Sequence, residues 1–295
     1  MNVINKFVNP LKILSNSAWR LNRSYSSASN EEVVFEKLGD NRQGVVVVGL
    51  NRAAAKNAFG QNLTRRLSNI ISDLQHNKEV KVVILRSLVP GIFCAGADLK
   101  ERKKQTPDEV VKFVSLLKST LIGIEQLPMP VIAAVDGPAL GGGLEMALAC
   151  DIRIASNDAK LGLVETRLAI IPGAGGTQRL PRIVGPSIAK ELIFTSRVMN
   201  GKEAKELGVV NHVVDQNGTK DAAFQKALQI ADEIVPNGPV GVRMAKKAID
   251  KGLQIDLAVG YAIEEACYAQ VMVTKDRLEG LQAFAEKRKP IYKGE

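Results

Sequence analysis

The sequence predicts an α/β fold followed by a helical C-terminal region. Short apolar segments alternate with helical segments along most of the 295 residues, as expected where strands and helices take turns in one domain. The predicted strands are residues 45–48, 82–85, 131–135 and 152–155. Residues 62–75 and 110–126 have the length and composition of helices that connect them. This alternation predicts that the strands form a core covered by helices.

From about residue 221 the pattern is helical to the end of the sequence. The predicted helices are residues 221–234, 240–251, 257–271 and 275–287. Asn237-Gly238-Pro239 interrupts this pattern, and we place there the boundary between a core, residues 29–235, and a C-terminal region, residues 236–295. The C-terminal helices cannot bury all their apolar surface alone.

The N-terminal segment differs from the rest of the chain. Residues 1–30 contain four basic residues, no acidic residue and many serines. This composition is typical of a mitochondrial transit peptide, which we predict over residues 1–28 and which implies the matrix; a disordered basic tail is the alternative. No apolar run approaches the roughly 18 residues of a transmembrane helix, so no membrane partner is expected.

The net charge is mildly positive once this segment is set apart. The full chain carries +9, and without the four basic residues of the segment 36 basic residues face 31 acidic ones, or +5. This balance is not by itself typical of a nucleic-acid-binding protein. The basic cluster at residues 100–104 is either a solvated helix start or a local binding surface.

Cysteine and histidine are sparse and do not indicate metal or nucleophilic chemistry. The two histidines, His76 and His212, stand in a predicted helix end and a predicted strand over residues 209–214. The three cysteines are widely spaced in apolar surroundings, which predicts reduced thiols in the core. Neither a Ser-His-Asp pattern nor zinc-ligand spacing is found, so no metal site is predicted.

A glycine-rich turn leads into an apolar helix that carries one acid. Gly141, Gly142 and Gly143 precede Glu145, which falls in the first turn of a helix predicted over residues 142–150. Bare N–H groups and the positive end of the helix dipole at such a turn can hold an oxyanion. A carboxylate in this position either complements the dipole or takes part in chemistry.

Two further segments have the features of a ligand-binding backbone. Glu165 precedes a loop at residues 170–181 that is rich in glycine, and its alternative interpretation is a surface ion pair with Arg167 or a lysine. In residues 93–100, small side chains at Ala95 and its neighbours allow close approach to the backbone, whereas Asp98 also fits an ordinary helix cap. The spacing of the glycines does not match a P-loop.

These three segments together resemble the crotonase (enoyl-CoA hydratase/isomerase) superfamily over residues 32–295. The matching phrases are residues 93–100, 139–145 and 171–180. The resemblance implies a crotonase-type spiral of ββα units with a C-terminal helical trimerisation region, assembled as a homotrimer or hexamer. It also implies an enoyl-CoA hydratase-type lyase that acts on an acyl-CoA thioester and needs no cofactor.

The resemblance assigns roles to particular residues. It implies that the N–H groups of Ala97 and Gly142 form the oxyanion hole and that Glu145 and Glu165 are the catalytic acid–base pair. Retention of both glutamates favours hydration over double-bond isomerisation. The residues it implies in coenzyme A binding, the last two from a neighbouring subunit, are Lys56, Ala95, Asp98, Leu99, Lys100, Phe284 and Lys287.

More narrowly, the chain is similar to the branch of this family that hydrates 3-methylglutaconyl-CoA in leucine degradation and binds AU-rich RNA. The phrases behind this are residues 89–94, 162–166, 263–270 and 292–295. The candidate RNA contacts are Lys100, Lys103 and Lys104. Two alternatives stay open, namely an AU-rich RNA-binding protein with or without catalysis and a general short-chain enoyl-CoA hydratase/isomerase. A carboxylated acyl group needs a cationic partner, for which Arg52, Lys56 and Arg86 are conceivable.

Overall fold

The structure, a computed structural model, describes residues 31–39 and 42–295 of the chain. The predicted transit peptide, residues 1–28, lies outside the described residues. No helix of the described residues is long and apolar enough to cross a membrane.

The strands of the described residues form two sheets. They are β1 (Val33–Lys37), β2 (Val45–Leu50), β3 (Val82–Ser87), β4 (Val131–Val135), β5 (Ala139–Leu140), β6 (Ile152–Ser156), β7 (Lys160–Gly162), β8 (Met199–Asn200) and β9 (His212–Val214). The larger sheet has the order β1-β2-β3-β4-β6-β9, in which β1 is antiparallel to β2 and the other neighbours are parallel. The smaller sheet has the order β5-β7-β8.

The helices of the described residues follow the sequence pattern closely in the C-terminal region. They are α1 (Gln61–Gln75), α2 (Leu99–Arg102), α3 (Pro107–Glu125), α4 (Gly142–Leu148), α5 (Gly176–Val184), α6 (Pro186–Phe194), α7 (Gly201–Glu206), α8 (Ala222–Ile234), α9 (Pro239–Gly252), α10 (Leu257–Met272) and α11 (Lys275–Ala285). The predicted strand at residues 209–214 is shorter than expected, because pairing with β6 begins only at His212.

The central strands are apolar on both faces because helices cover both sides of the larger sheet. Val46 and Val48 of β2 belong to the main core together with Leu63 of α1, whereas Val45 and Val47 pack with α8 on the opposite face. This arrangement explains why the predicted strands are continuous apolar runs and do not alternate.

Two isolated bridges extend the smaller sheet. Phe59 pairs in parallel with Ala97, and Cys94 pairs in parallel with Ala139 at the start of β5. Each of β2, β3, β4 and β6 in the larger sheet is therefore followed by a segment in the smaller sheet and then by a helix. Four such ββα turns make the spiral that the sequence predicted.

The three cysteines are free and buried, as predicted. Burial raises the pKa of the Cys94 and Cys150 thiols to about 12, so neither is a thiolate at neutral pH.

Helices α9, α10 and α11 carry apolar side chains that no other part of the described chain covers. The exposed members are Ile249, Leu253, Leu257, Tyr261, Tyr268, Leu278, Leu281 and Phe284. Exposure of this many large apolar side chains is typical of a protein–protein interface.

Candidate active site

Glu145 is a buried carboxylate held by backbone N–H groups. It lies in the first turn of α4, and only 2% of the residue is exposed. Its Oε1 accepts hydrogen bonds from the N–H groups of Ala174, at 2.8 Å, and Gly176, at 2.7 Å. Gly176 is the first residue of α5, so the carboxylate also lies at the positive end of that helix. Burial raises the pKa of Glu145, and the two hydrogen bonds oppose this rise by favouring the ionised form.

Glu165 is a second carboxylate in a different environment. It follows β7 at the start of a 3₁₀ turn, Glu165–Leu168, and is half-buried. Its Oε2 is buried without a hydrogen-bond partner among the described residues. Burial, and then the negative charge of Glu145, raise the pKa of Glu165 to about 7. Glu165 is therefore partly protonated at neutral pH.

The ion pair considered for Glu165 does not form. Arg167 donates instead to the carbonyl oxygen of Ser196, at 2.9 Å. The Glu165 carboxylate lies against Gly141, where an added Cβ would be 3.1 Å from Oε1. Both glutamates therefore meet at the turn into α4, as the sequence hypothesis requires. Because their charges interact, they titrate as a pair.

The N–H group of Ala97 is left free for a ligand. Phe59 donates its N–H to the carbonyl of Gly96, at 2.7 Å, and accepts the N–H of Asp98, at 3.0 Å. In a parallel bridge of this pattern the N–H of the intervening residue, Ala97, is directed away from Phe59. No acceptor for it is found among the described residues.

Gly142 offers a second N–H donor next to this strand. As the first residue of α4 it has no intrahelical partner for its N–H. A Cβ on Gly96 would lie 2.8 Å from the carbonyl oxygen of Leu140 and 3.5 Å from the nitrogen of Gly142, so the two segments are in close contact. Gly96 also has a φ of +89°, which favours glycine. Two backbone donors beside two carboxylates can stabilise a developing oxyanion while protons move.

Five of the predicted coenzyme A residues lie on adjoining segments. Lys56 is exposed with a φ of +51°, and its carbonyl accepts the N–H of Ala95 at 3.1 Å. Asp98 caps α2 by accepting the N–H groups of Lys100 and Glu101, so the ordinary helix-cap interpretation is correct for its side chain. Leu99 and Lys100 are exposed on α2.

The other two predicted coenzyme A residues lie on the C-terminal surface. Phe284, on α11, is 87% exposed, and Lys287 follows that helix with an exposed side chain. Their expected role in a neighbouring subunit stays a prediction.

Two of the cations suggested for a carboxylated acyl group have other partners. Arg52 forms ion pairs with Glu32, Asp98 and Glu101. Arg86 lies over the ring of Phe224, 3.8 Å from its centroid. The third, Lys56, is exposed to solvent.

Sequence reasoning missed two features of the site. It indicated that the backbone of the loop before α5 matters but did not join the N–H groups of Ala174 and Gly176 to Glu145. It also passed over Arg102, whose positive charge lowers the pKa of Glu165. Contact across about 30 residues of chain has no local signal, and Arg102 is one of several basic residues in its cluster.

Comparison with known proteins decides the family. The sequence profile described as Enoyl-CoA hydratase/isomerase matches residues 40–295. The chain belongs to this family. The predicted crotonase relationship and the prediction of an enoyl-CoA hydratase-type enzyme are thereby confirmed.

Relatives within the enoyl-CoA hydratase/isomerase family cover most of the chain. The Mus musculus protein "Methylglutaconyl-CoA hydratase, mitochondrial" is 58% identical over 275 residues, which are 92% of this chain and 88% of the relative. The Homo sapiens protein of the same name is also 58% identical, over 92% of this chain and 81% of its own. A crystal structure of an enoyl-CoA hydratase from Bacillus anthracis is 49% identical and superposes with a TM-score of 0.85 over 90% of this chain and 100% of that one. The predicted crotonase fold is confirmed.

The raised pKa of Glu165 predicts a pH-dependent cost to stability. A carboxyl whose pKa is about 7 in the folded state and 4.5 without the protein's influence favours folding at low pH, and this contribution is lost as the pH rises through about 7. Glu165→Gln removes the charge, so we expect the variant to gain about 1–2 kcal/mol over the wild type between pH 5 and pH 8, after allowance for solvent screening. Thermal unfolding at the two pH values, at matched protein concentration, measures this gain.

The control for this experiment is Glu206→Gln, which changes an exposed glutamate of α7. It should change the unfolding midpoint equally at both pH values. If the unfolding midpoints of Glu165→Gln and the wild type depended on pH in the same way, ionisation of this carboxyl would not destabilise the folded protein.

Proposed function

We propose that this protein adds water across the α,β double bond of 3-methylglutaconyl-CoA to give 3-hydroxy-3-methylglutaryl-CoA, a step of leucine degradation. The observation that carries the chemistry is a pair of unlike carboxylates, Glu145 and Glu165, at a turn that presents the free N–H of Gly142. The names of the relatives that are 58% identical support the choice of substrate.

The two carboxylates suit different steps of hydration. Glu145 is fixed by two N–H donors that favour its ionised form, so it holds the water and accepts a proton as the oxygen bonds to the β-carbon. Glu165, with a pKa of about 7, is protonated in part of the molecules at neutral pH, and in that form it delivers the proton to the α-carbon. Proton transfer from Glu145 back to Glu165 restores the starting state.

The oxyanion hole completes the mechanism. As water adds, negative charge develops on the thioester oxygen, and the N–H groups of Ala97 and Gly142 stabilise it without reorganising. Coenzyme A is bound by Lys56, Ala95, Asp98, Leu99 and Lys100, and a neighbouring subunit supplies Phe284 and Lys287. The substrate brings coenzyme A with it, and the proposed reaction uses no separate cofactor.

Steady-state hydration of 3-methylglutaconyl-CoA and crotonyl-CoA tests this proposal. A strong preference for 3-methylglutaconyl-CoA in kcat/KM supports it. A preference for crotonyl-CoA would favour the general short-chain hydratase, and folded protein without activity on either substrate would refute hydration.

We further propose that the protein works in the mitochondrial matrix as a homotrimer or a hexamer. The relatives are named mitochondrial, and the exposed apolar surface of α9, α10 and α11 supports self-association. Light scattering after size-exclusion chromatography measures the mass, and a monomer at micromolar concentration would contradict this assembly.

AU-rich RNA binding is a second proposed activity, supported by a cluster of exposed lysines. Lys100 lies on α2, and Lys103 and Lys104 follow in the turn before α3. Binding through these lysines should weaken with salt by a slope of about −0.7 per phosphate contacted. The Lys103→Gln/Lys104→Gln variant should bind a single-stranded AU-rich RNA more weakly and with a shallower slope. Equal binding by the variant and the wild type would exclude this surface.

A further inference from the structure

Arg102 is a half-buried cation with a buried guanidinium nitrogen that has no partner. It ends α2, the short helix that begins directly after the strand of Ala97. Its Nε is buried and has no hydrogen-bond partner among the described residues. Leaving a buried donor of a charged group unsatisfied costs free energy, so such a group in a site is suited to a ligand.

The helix that carries Arg102 is firmly held. Asp98 caps it, and Glu101 is tied both to the guanidinium of Arg52, at 3.0 Å, and to the N–H of Gln61, at 3.0 Å. Consecutive helical residues are about 100° apart around the axis, so Arg102 is directed to a different side from Glu101. These contacts fix the backbone position from which the Arg102 side chain extends.

Arg102 lies close enough to Glu165 to act on it electrostatically. Its positive charge lowers the pKa of Glu165, against the larger effects of burial and Glu145. The Oε2 atom of Glu165 is likewise buried without a partner. The site thus holds an unpaired donor and an unpaired acceptor that are not hydrogen-bonded to each other.

A substrate with a terminal carboxylate requires such a cation. Its acyl group would bring a third negative charge beside Glu145 and Glu165, and burying that charge unpaired is costly. The buried Arg179, whose charge also acts on Glu145, is already committed: it donates to Glu125 and to the carbonyl of Ala174. A guanidinium matches a carboxylate with two parallel hydrogen bonds.

We propose that Arg102 binds the terminal carboxylate of the acyl group and so sets the preference for a carboxylated enoyl-CoA. This inference rests on the proposed function, because it concerns the substrate of the same site. The residue that determines substrate preference would then lie on α2, the helix that follows the segment of Ala97.

The test compares two substrates that differ by one carboxylate, 3-methylglutaconyl-CoA and 3-methylcrotonyl-CoA. Arg102→Gln should lower kcat/KM for 3-methylglutaconyl-CoA by about 10²-fold, mainly through KM, since one partner of a buried charge pair is removed. The value for 3-methylcrotonyl-CoA should stay within about threefold of the wild type or rise. Arg102→Lys should recover part of the loss, because lysine restores the positive charge but not the two parallel hydrogen bonds of a guanidinium.

The matched control is Arg65→Gln, which removes an exposed arginine of α1 and should change neither substrate. An equal loss on both substrates, accompanied by a shift of the pH profile, would mean that Arg102 acts only through Glu165 and would overturn the inference. No loss on either substrate would also overturn it. If the wild type did not hydrate 3-methylglutaconyl-CoA, both the proposed substrate and the role of Arg102 would be refuted. If the wild type and Arg102→Gln hydrated it equally well, only the role of Arg102 would be refuted.

Discussion

Glu145→Gln is expected to lower kcat/KM for hydration by about 10²–10⁴-fold while leaving the fold intact. The amide oxygen of glutamine can still accept the N–H groups of Ala174 and Gly176, so the side chain keeps its place. It cannot accept the proton of the attacking water. The loss should therefore appear in kcat, with the thermal unfolding midpoint close to that of the wild type.

Glu165→Gln should cause a loss of similar size, and the pH profile should distinguish the two roles. Because Glu165 must be protonated to serve as the acid, wild-type hydration should fall as the pH rises through about 7. On the acid side, activity should fall as Glu145 becomes protonated. Measuring kcat/KM from pH 5.5 to pH 9 with both variants tests this order, with Glu206→Gln as the matched exposed control. A wild-type rate that keeps rising above pH 8 would contradict protonated Glu165 as the acid.

Gly96→Ala is a third substitution with a large expected effect, and it acts through the backbone. An added Cβ would lie 2.8 Å from the carbonyl oxygen of Leu140, in a backbone with a φ of +89°. The strand must shift, and with it the N–H of Ala97. Losing one oxyanion donor costs about 3–4 kcal/mol, so we expect kcat to fall by about 10²–10³-fold.

A matched control separates backbone strain from displacement of the oxyanion strand. Gly208 has a φ of +78°, but an added Cβ there meets nothing within 4 Å. Gly208→Ala should lower the unfolding midpoint by an amount typical of a strained alanine while kcat is unchanged. If Gly96→Ala kept wild-type kcat, Ala97 would not be a donor to the transition state.

The elements that the sequence predicted well are those with strong local signals. Helix α3 was predicted over residues 110–126, and in the structure it begins three residues earlier, at Pro107, where Thr106 and Glu109 exchange the hydrogen bonds of a capping box. The central strands were predicted because both of their faces are apolar. The two-residue strands β5 and β8 were not, because pairing with distant segments creates them and their composition does not.

In the candidate site, too, features with a local sequence signal were predicted and features that depend on distant contacts were not. A glutamate in an apolar helix after three glycines indicated that Glu145 was unusual, and this was visible in a single short segment. Whether Glu165 paired with Arg167 could not be decided from sequence, because the answer depends on the distant carbonyl of Ser196. The position of Arg102 relative to Glu165 likewise depends on how one turn of the spiral lies against another.

The ββα spiral distributes the chemistry along the chain in an orderly way. The second turn ends in Ala97, the third in Gly142 and Glu145, and the fourth in Glu165. The second and fourth turns each contribute one of these groups to the site, and the third contributes two. The proposed proton donor can therefore be altered within the fourth turn without disturbing the proposed oxyanion donors of the second and third. In such a scaffold, substitutions in one ββα turn can change the reaction while the proposed oxyanion donors in the other turns stay in place.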